Sequence, residues 1–182
     1  MNPIFIIGYM GAGKSTFGRK LAAALALNFI DTDIFIENRF RERIADMFVR
    51  IGEDAFRRRE RFVIEELSGM TDTVIATGGG IPCYYDNIDL MNASGLTVYL
   101  EGSTATLAQR LEYCKRTRPT VRHKSGLELI QHVDDALHVR SPYYQQAQIT
   151  ISIEDIRSDE DESRIAQQLA LQIQALQDGS DT

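Results

Sequence analysis

Near the start of the chain, Gly8-Tyr9-Met10-Gly11-Ala12-Gly13-Lys14-Ser15-Thr16 has the residue types and spacing of a polyphosphate cradle. Glycines at these positions let the backbone turn where a Cβ would clash. Successive N–H groups can then point at phosphate oxygens from the positive end of a helix. Lys14 is spaced to reach β and γ phosphates, and the Ser15 hydroxyl to ligate Mg²⁺. A glycine-rich turn with an incidental lysine is the bland alternative, but it does not require the whole pattern.

Further along, Asp31-Thr32-Asp33 delivers two carboxylates. Either could merely cap the following helix. As a pair beside a phosphate cradle, one can orient metal-bound water while the other accepts a hydrogen bond from a substrate hydroxyl. In Gly52-Glu53-Asp54-Ala55-Phe56-Arg57-Arg58-Arg59-Glu60-Arg61, Arg57 and Glu60 are three apart on one helical face, so the carboxylate can hold the guanidinium for a bidentate anion. Arg58, Arg59 and Arg61 read as a solvated face. Gly78-Gly79-Gly80 allows a ligand to approach the main chain closely, a flexible turn being the alternative. Lys115, Arg116, Arg118, Arg122 and Lys124 form a basic stretch without an acid, suited to a lid that closes on phosphates. Nucleic-acid binding competes as a reading, but aromatics are not interleaved there. Arg140 lies two residues before Pro142, which is expected to disrupt a helix running from 127 to about 139 and aim the arginine at the cleft. His123, His132 and His138 form no ligand pattern.

These groups need a scaffold that gathers them. Apolar runs at 3–7, 28–30, 73–77, 96–100 and 148–153 read as strands, with helical periodicity between them. Phe17, Leu21 and Leu25 mark the helix behind the cradle, and Phe56, Val63 and Leu67 the buried stripe of the arginine-rich one. The closing helix around Ile165, Leu169 and Ile173 reads as packing. Such alternation predicts an α/β fold, a parallel sheet with helices on both faces and ligands at the carboxyl ends of its strands. One domain is expected over residues 1–177, with a polar tail at 178–182.

Composition narrows the classes. The 182-residue chain carries a net charge of −6, which gives no general attraction to nucleic acid or an anionic membrane. Cys83 and Cys114 lack metal-ligand spacing and read as free thiols. No leader pattern or long apolar run is present, so a cytoplasmic protein is expected.

Taken in order and spacing, the cradle, aspartate pair, Gly-Glu-x-x-Phe-Arg-x-x-Glu block, triple glycine, Arg-Pro segment and Arg-x-Pro-x-Tyr segment closely resemble the shikimate kinase family. The resemblance covers residues 3 to about 157. It implies a three-layer P-loop NTPase fold with a five-stranded parallel sheet in the order 2-3-1-4-5, a substrate-binding helical segment at about 32–62 and a mobile lid at about 112–125. The implied activity is transfer of the ATP γ-phosphoryl group to the 3-hydroxyl of shikimate by a monomer using Mg²⁺. Gly11, Ala12, Gly13, Lys14, Ser15 and Thr16 would hold the nucleotide, with Ser15 and Asp31 at the metal. Asp33, Arg57, Gly78, Gly79, Gly80 and Arg140 would contact shikimate, and Glu60 would brace Arg57. Arg118 matches the lid arginine, and Arg157 falls where an adenine-contacting arginine is expected. Lys14, Asp31, Asp33 and Arg118 would carry the chemistry. A kinase for gluconate or a nucleoside monophosphate, or a nucleotide-binding regulator without turnover, are the rival readings.

Overall fold

The computed structural model describes residues 1–114, 121 and 123–178, the side chains of 177 and 178 excepted. Its five strands are β1 (Ile4–Ile7), β2 (Asn28–Asp31), β3 (Thr73–Ala76), β4 (Leu96–Glu101) and β5 (Ile149–Ser152). All pair in parallel, in the order β2-β3-β1-β4-β5, with helices on both faces of the sheet. Burial follows position in that order. β1 and β3 are buried at every residue, as uninterrupted apolar strands covered on both faces should be. At the edge, β5 alternates half-buried Ile149 and Ile151 with exposed Thr150 and Ser152.

The helices are α1 (Lys14–Leu25), α2 (Thr32–Phe40), α3 (Ile44–Leu67), α4 (Asn87–Ser94), α5 (Thr104–Cys114), α6 (Gly126–Tyr144) and α7 (Asp159–Asp178). Phe17, Leu21 and Leu25 bury the inner face of α1, and Phe56, Val63 and Leu67 that of α3. At the amino end of α7, Lys20 of α1 bridges Asp159 at 2.5 Å and Glu162 at 3.0 Å. Gly52 interrupts α3 with φ 75° and ψ 169°, so a fresh helical stretch starts at Glu53.

One expectation is corrected. Pro142 does not end the helix that bears Arg140; α6 runs through it to Tyr144. Proline stands in the last turn, where one missing amide donor and a local tilt affect little of the helix. Arg140 therefore projects from regular helix rather than from a turn.

β1 and β3 are neighbours whose connections leave in opposite directions, toward β2 and β4. Their carboxyl ends therefore open a crevice at the switch point of the sheet. Both glycine loops lie there, Gly8–Gly13 after β1 and Gly78–Gly80 after β3. Arg118 and the centre of the expected lid lie outside the described residues, as does the tail from 179. Among the described residues no helix is long and apolar enough to cross a membrane.

Candidate active site

The cradle is built around backbone that only glycine adopts readily. Gly13 caps α1 in a left-handed conformation, φ 95°, and supplies no side-chain bond to the first helical amides. Those amides are left to an anion at the positive end of the helix. Lys14 Nζ donates a 2.9 Å bond to the Tyr9 carbonyl, lying back across its own loop. Around the loop is a cleft of about 190 Å³ lined by Met10, Lys14, Ser15, Asp31, Asp33 and Gly79, among others.

Asp31 divides its two oxygens between two tasks. Oδ1 caps α2, accepting from the amides of Asp33 at 3.0 Å and Ile34 at 3.3 Å. Oδ2 accepts a 2.5 Å bond from the Ser15 hydroxyl across the cleft. Capping and facing the cleft, alternatives in the sequence, both occur. Between them lies Thr32, fully buried, whose hydroxyl accepts from the Gly78 amide at 2.7 Å and joins the two strand ends. Ser15 and Asp31 suit a hard cation. No cluster of three or more His, Cys, Asp or Glu that could hold a metal occurs among the described residues. Two oxygen groups from the protein fit Mg²⁺, which keeps waters and takes phosphate oxygens as its remaining ligands.

Across the crevice, the triple glycine brings the acceptor side against the cradle. A Cβ on Gly78 would stand 2.7 Å from Asp33 Oδ1, and one on Gly80 2.6 Å from Arg57 Nη1. On Gly79 it would stand 3.4 Å from both Gly8 O and Met10 N of the phosphate loop. Arg57, 11% exposed at its side chain, donates through Nη1 to Glu60 at 2.7 Å. Its Nε and Nη2 both donate to Glu53 Oε1, at 3.2 and 2.9 Å. The guanidinium lies 4.1 Å from the centre of the Tyr84 ring, and the Tyr84 hydroxyl also donates to Glu53 Oε1, at 2.8 Å. Arg140 enters from α6, 5.5 Å from the ring centre of Tyr9. Near it, the Tyr144 hydroxyl donates a 2.6 Å bond to the Gly79 carbonyl, and its ring stacks on Tyr99 at 5.3 Å.

Electrostatics follow from this crowding. Burial pushes the Glu60 carboxyl up to about 7, against the pull of Arg57 and with added repulsion from Asp33. Burial alone would lower the pKa of Arg57, but the carboxylates of Glu60 and Glu53 outweigh it and hold the guanidinium above its ordinary value. The Cys83 thiol is raised by burial to about 11, which keeps it protonated and a poor nucleophile.

On the other side of the cradle, Gly13, Thr16, Arg110, Arg157 and Glu162 border a recess of about 350 Å³. Thr16 Oγ1 donates to Glu162 Oε1 at 2.8 Å. Arg110 ties the phosphate loop to the segment after β5, donating to the carbonyls of Ala12, Ile153 and Ile156 at 3.2, 3.0 and 2.7 Å. Arg157 borders the recess and, through its backbone amide, bonds Asp161 at 3.2 Å.

Thus Lys14, Ser15, Asp31, Asp33, Arg57, Glu60 and the three glycines converge on one crevice, whereas Arg157 stands apart on the far flank of the loop. Of the other block arginines, Arg58 is exposed as expected, whereas Arg61 is half-buried and bridges Glu65 and Asp86. Arg59 is half-buried over the Phe40 ring instead of standing in solvent, because the hairpin of α2 and α3 folds that ring beneath it. Sequence reasoning missed Thr32, Tyr84 and Tyr144 as supports. Thr32 between two aspartates and Tyr144 in Arg-x-Pro-x-Tyr were the available signals.

A polyphosphate loop and an arginine-bearing pocket that share one crevice of a 2-3-1-4-5 sheet define a P-loop kinase for a small acceptor. The shikimate kinase family profile matches residues 10–174. A shikimate kinase from Parabacteroides distasonis is 45% identical over 161 residues, 88% of this chain and 93% of that one. The crystal structure of a shikimate kinase from Bacteroides thetaiotaomicron superposes with a TM-score of 0.90 at 38% identity, over 95% of this chain and 98% of the other. A shikimate kinase from Acinetobacter baumannii in complex with shikimate gives 0.80 at 33% identity, over 99% and 94%. The chain belongs to the shikimate kinase family.

Proposed function

We propose that the protein transfers the γ-phosphoryl group of ATP to the 3-hydroxyl of shikimate, giving shikimate 3-phosphate and ADP on the route to chorismate and the aromatic amino acids. The observation that carries this reading is the triple glycine, whose successive residues pack against Asp33, the phosphate loop and Arg57. Donor and acceptor pockets therefore abut.

Phosphoryl transfer through a loose transition state asks the protein mainly for alignment and charge neutralisation. In our reading, the loop amides of Gly11, Ala12, Gly13 and Lys14, with Ser15 and Thr16, grip the polyphosphate, and Lys14 turns from the Tyr9 carbonyl to the β and γ phosphates. Ser15 and Asp31 would hold Mg²⁺, which would supply positive charge to offset that of the phosphates. Asp33 orients the acceptor hydroxyl and accepts its hydrogen bond. Arg57 and Arg140 clamp the ring carboxylate, Glu60 braces Arg57, and the amides of Gly78, Gly79 and Gly80 line the floor. Arg118 takes the lid role by its match in sequence, and Arg157 the adenine flank. One domain over 1–177, a monomeric state and a cytoplasmic location complete the proposal; the sequence spacing of Cys83 and Cys114, which builds no disulfide framework, supports the location.

A coupled assay for ADP release across shikimate, quinate, gluconate and nucleoside monophosphates tests the substrate. Strong preference for shikimate is expected, and preference for a nucleotide acceptor overturns the assignment. Arg57→Ala is expected to weaken shikimate binding by about 2–5 kcal/mol, because the guanidinium is largely desolvated. An unaltered shikimate KM in that variant removes Arg57 from the clamp.

A further inference from the structure

Arg57 offers an incoming carboxylate one fork, and that fork is already taken. Nη1 is turned to Glu60, so the paired edge of Nε and Nη2, the edge that fits a carboxylate in two parallel bonds, faces Glu53. A single oxygen of Glu53 accepts from both of these nitrogens and from the Tyr84 hydroxyl. Arg140, the second cation of the clamp, adds its attraction to the same carboxylate. A negative group thus sits on the Nε–Nη2 edge of Arg57, within the attraction of Arg140.

We propose that Glu53 is an internal occupant of the acceptor-carboxylate position: it pairs with Arg57 while the pocket lacks an acceptor, and the carboxylate of shikimate displaces it. This rests on the reading of Arg57 and Arg140 as the clamp. Acceptor binding is then an exchange of one carboxylate for another, and Glu53 sets both the affinity and the preference for an anionic ring.

The two partners differ in how easily they can part. Arg57 is 11% exposed at its side chain and held through Nη1 by the buried Glu60, so it stays in place, and leaving its Nε–Nη2 edge without an anion there is unfavourable. Glu53 is 52% exposed and can turn into water, where its charge is solvated. Its backbone begins a new helical stretch directly after Gly52, and nothing lies within 4 Å of where a Cβ on Gly52 would be. The break in the helix and the open space beside Gly52 thus stand directly before the residue that has to move. A neutral ring cannot replace the charge that Glu53 takes away, so it is rejected even where its hydroxyls fit.

In thermodynamic terms the substrate-ready pocket is only the fraction of molecules in which Glu53 has swung out, and apparent affinity falls by that fraction. Calorimetric titration of shikimate into the wild-type protein, Glu53→Gln and Arg57→Ala separates the possibilities. Glu53→Gln keeps the shape and an amide acceptor but removes the charge, and its shikimate Kd is expected to fall by about threefold or more. The methyl ester of shikimate, which has no carboxylate to exchange, should gain less than shikimate does. If shikimate binds Glu53→Gln equally or more weakly while Arg57→Ala raises Kd at least tenfold or so, the clamp stands and the exchange is wrong. An equal gain for ester and acid also overturns the exchange. If Arg57→Ala leaves Kd unaltered, the clamp itself fails and takes this proposal with it.

Discussion

The hydroxyl of Tyr144 donates a 2.6 Å hydrogen bond to the carbonyl of Gly79, fastening the end of α6 to the middle of the triple glycine. Arg140 is one turn earlier on the same helix, so the position of the clamp arginine and that of the pocket floor are set by one contact. Tyr144→Phe keeps the ring on Tyr99 and removes only the donor. Leaving a buried acceptor without it costs about 1–3 kcal/mol. Steady-state kinetics of that variant should show shikimate KM raised by about fivefold or more, with a smaller change in ATP KM.

The split use of Asp31 predicts different fates for folding and turnover. Asn is as good a helix cap as Asp, so Asp31→Asn should alter stability by no more than about 1 kcal/mol in a denaturant titration. The oxygen facing Ser15 loses its charge, and kcat at fixed Mg²⁺ should drop on the order of 10²-fold. A variant that keeps wild-type kcat and Mg²⁺ dependence would remove Asp31 from the metal site.

Gly78 is the next lever. Its added Cβ would meet Asp33 Oδ1 at 2.7 Å and Glu60 Oε1 at 3.5 Å. Asp33 has to retreat in Gly78→Ala, and misplacing an orienting group by a fraction of an ångström to an ångström reduces kcat/KM by about 10²-fold. The kinetic loss should fall on shikimate, and ADP affinity measured by calorimetry should change far less.

Glu60 couples stability to pH. Its folded pKa, about 7, lies above the ordinary 4.5, so between these values the folded chain holds a proton that the unfolded chain has released. This contribution is fully present below about pH 4.5 and is lost as pH rises through about 7, a change on the order of 3 kcal/mol. Glu60→Gln does not titrate. Denaturation at pH 5 and pH 8 should show the wild-type protein losing stability relative to Glu60→Gln at the higher pH, and a constant difference between the two would refute the shift.

Much of this was legible in the chain because it rests on local rules. The buried strands are uninterrupted apolar runs, and the phosphate loop is a fixed spacing between a strand and a helix. Arg57 and Glu60 meet because a helix puts residues three apart on one face. What stayed hidden depends on tertiary register. Thr32 bonds Gly78 because β2 and β3 are neighbours, and Tyr144 reaches Gly79 because α6 crosses the crevice; no window of sequence contains either pair. Pro142 misled because a proline signals a break but not how little helix remains beyond it. Glu53 was visible as part of the arginine block, yet that it occupies the Nε–Nη2 edge of Arg57 together with the Tyr84 hydroxyl shows only in the fold.

A Cβ on Gly79 would stand 3.4 Å from both Gly8 O and Met10 N, so the two glycine loops pack main chain on main chain. The spacing between the phosphate loop and the second glycine loop is therefore set by main chain, like the marks on a ruler. Relatives on this scaffold could exchange side chains around the pocket and still keep the same spacing between the loops.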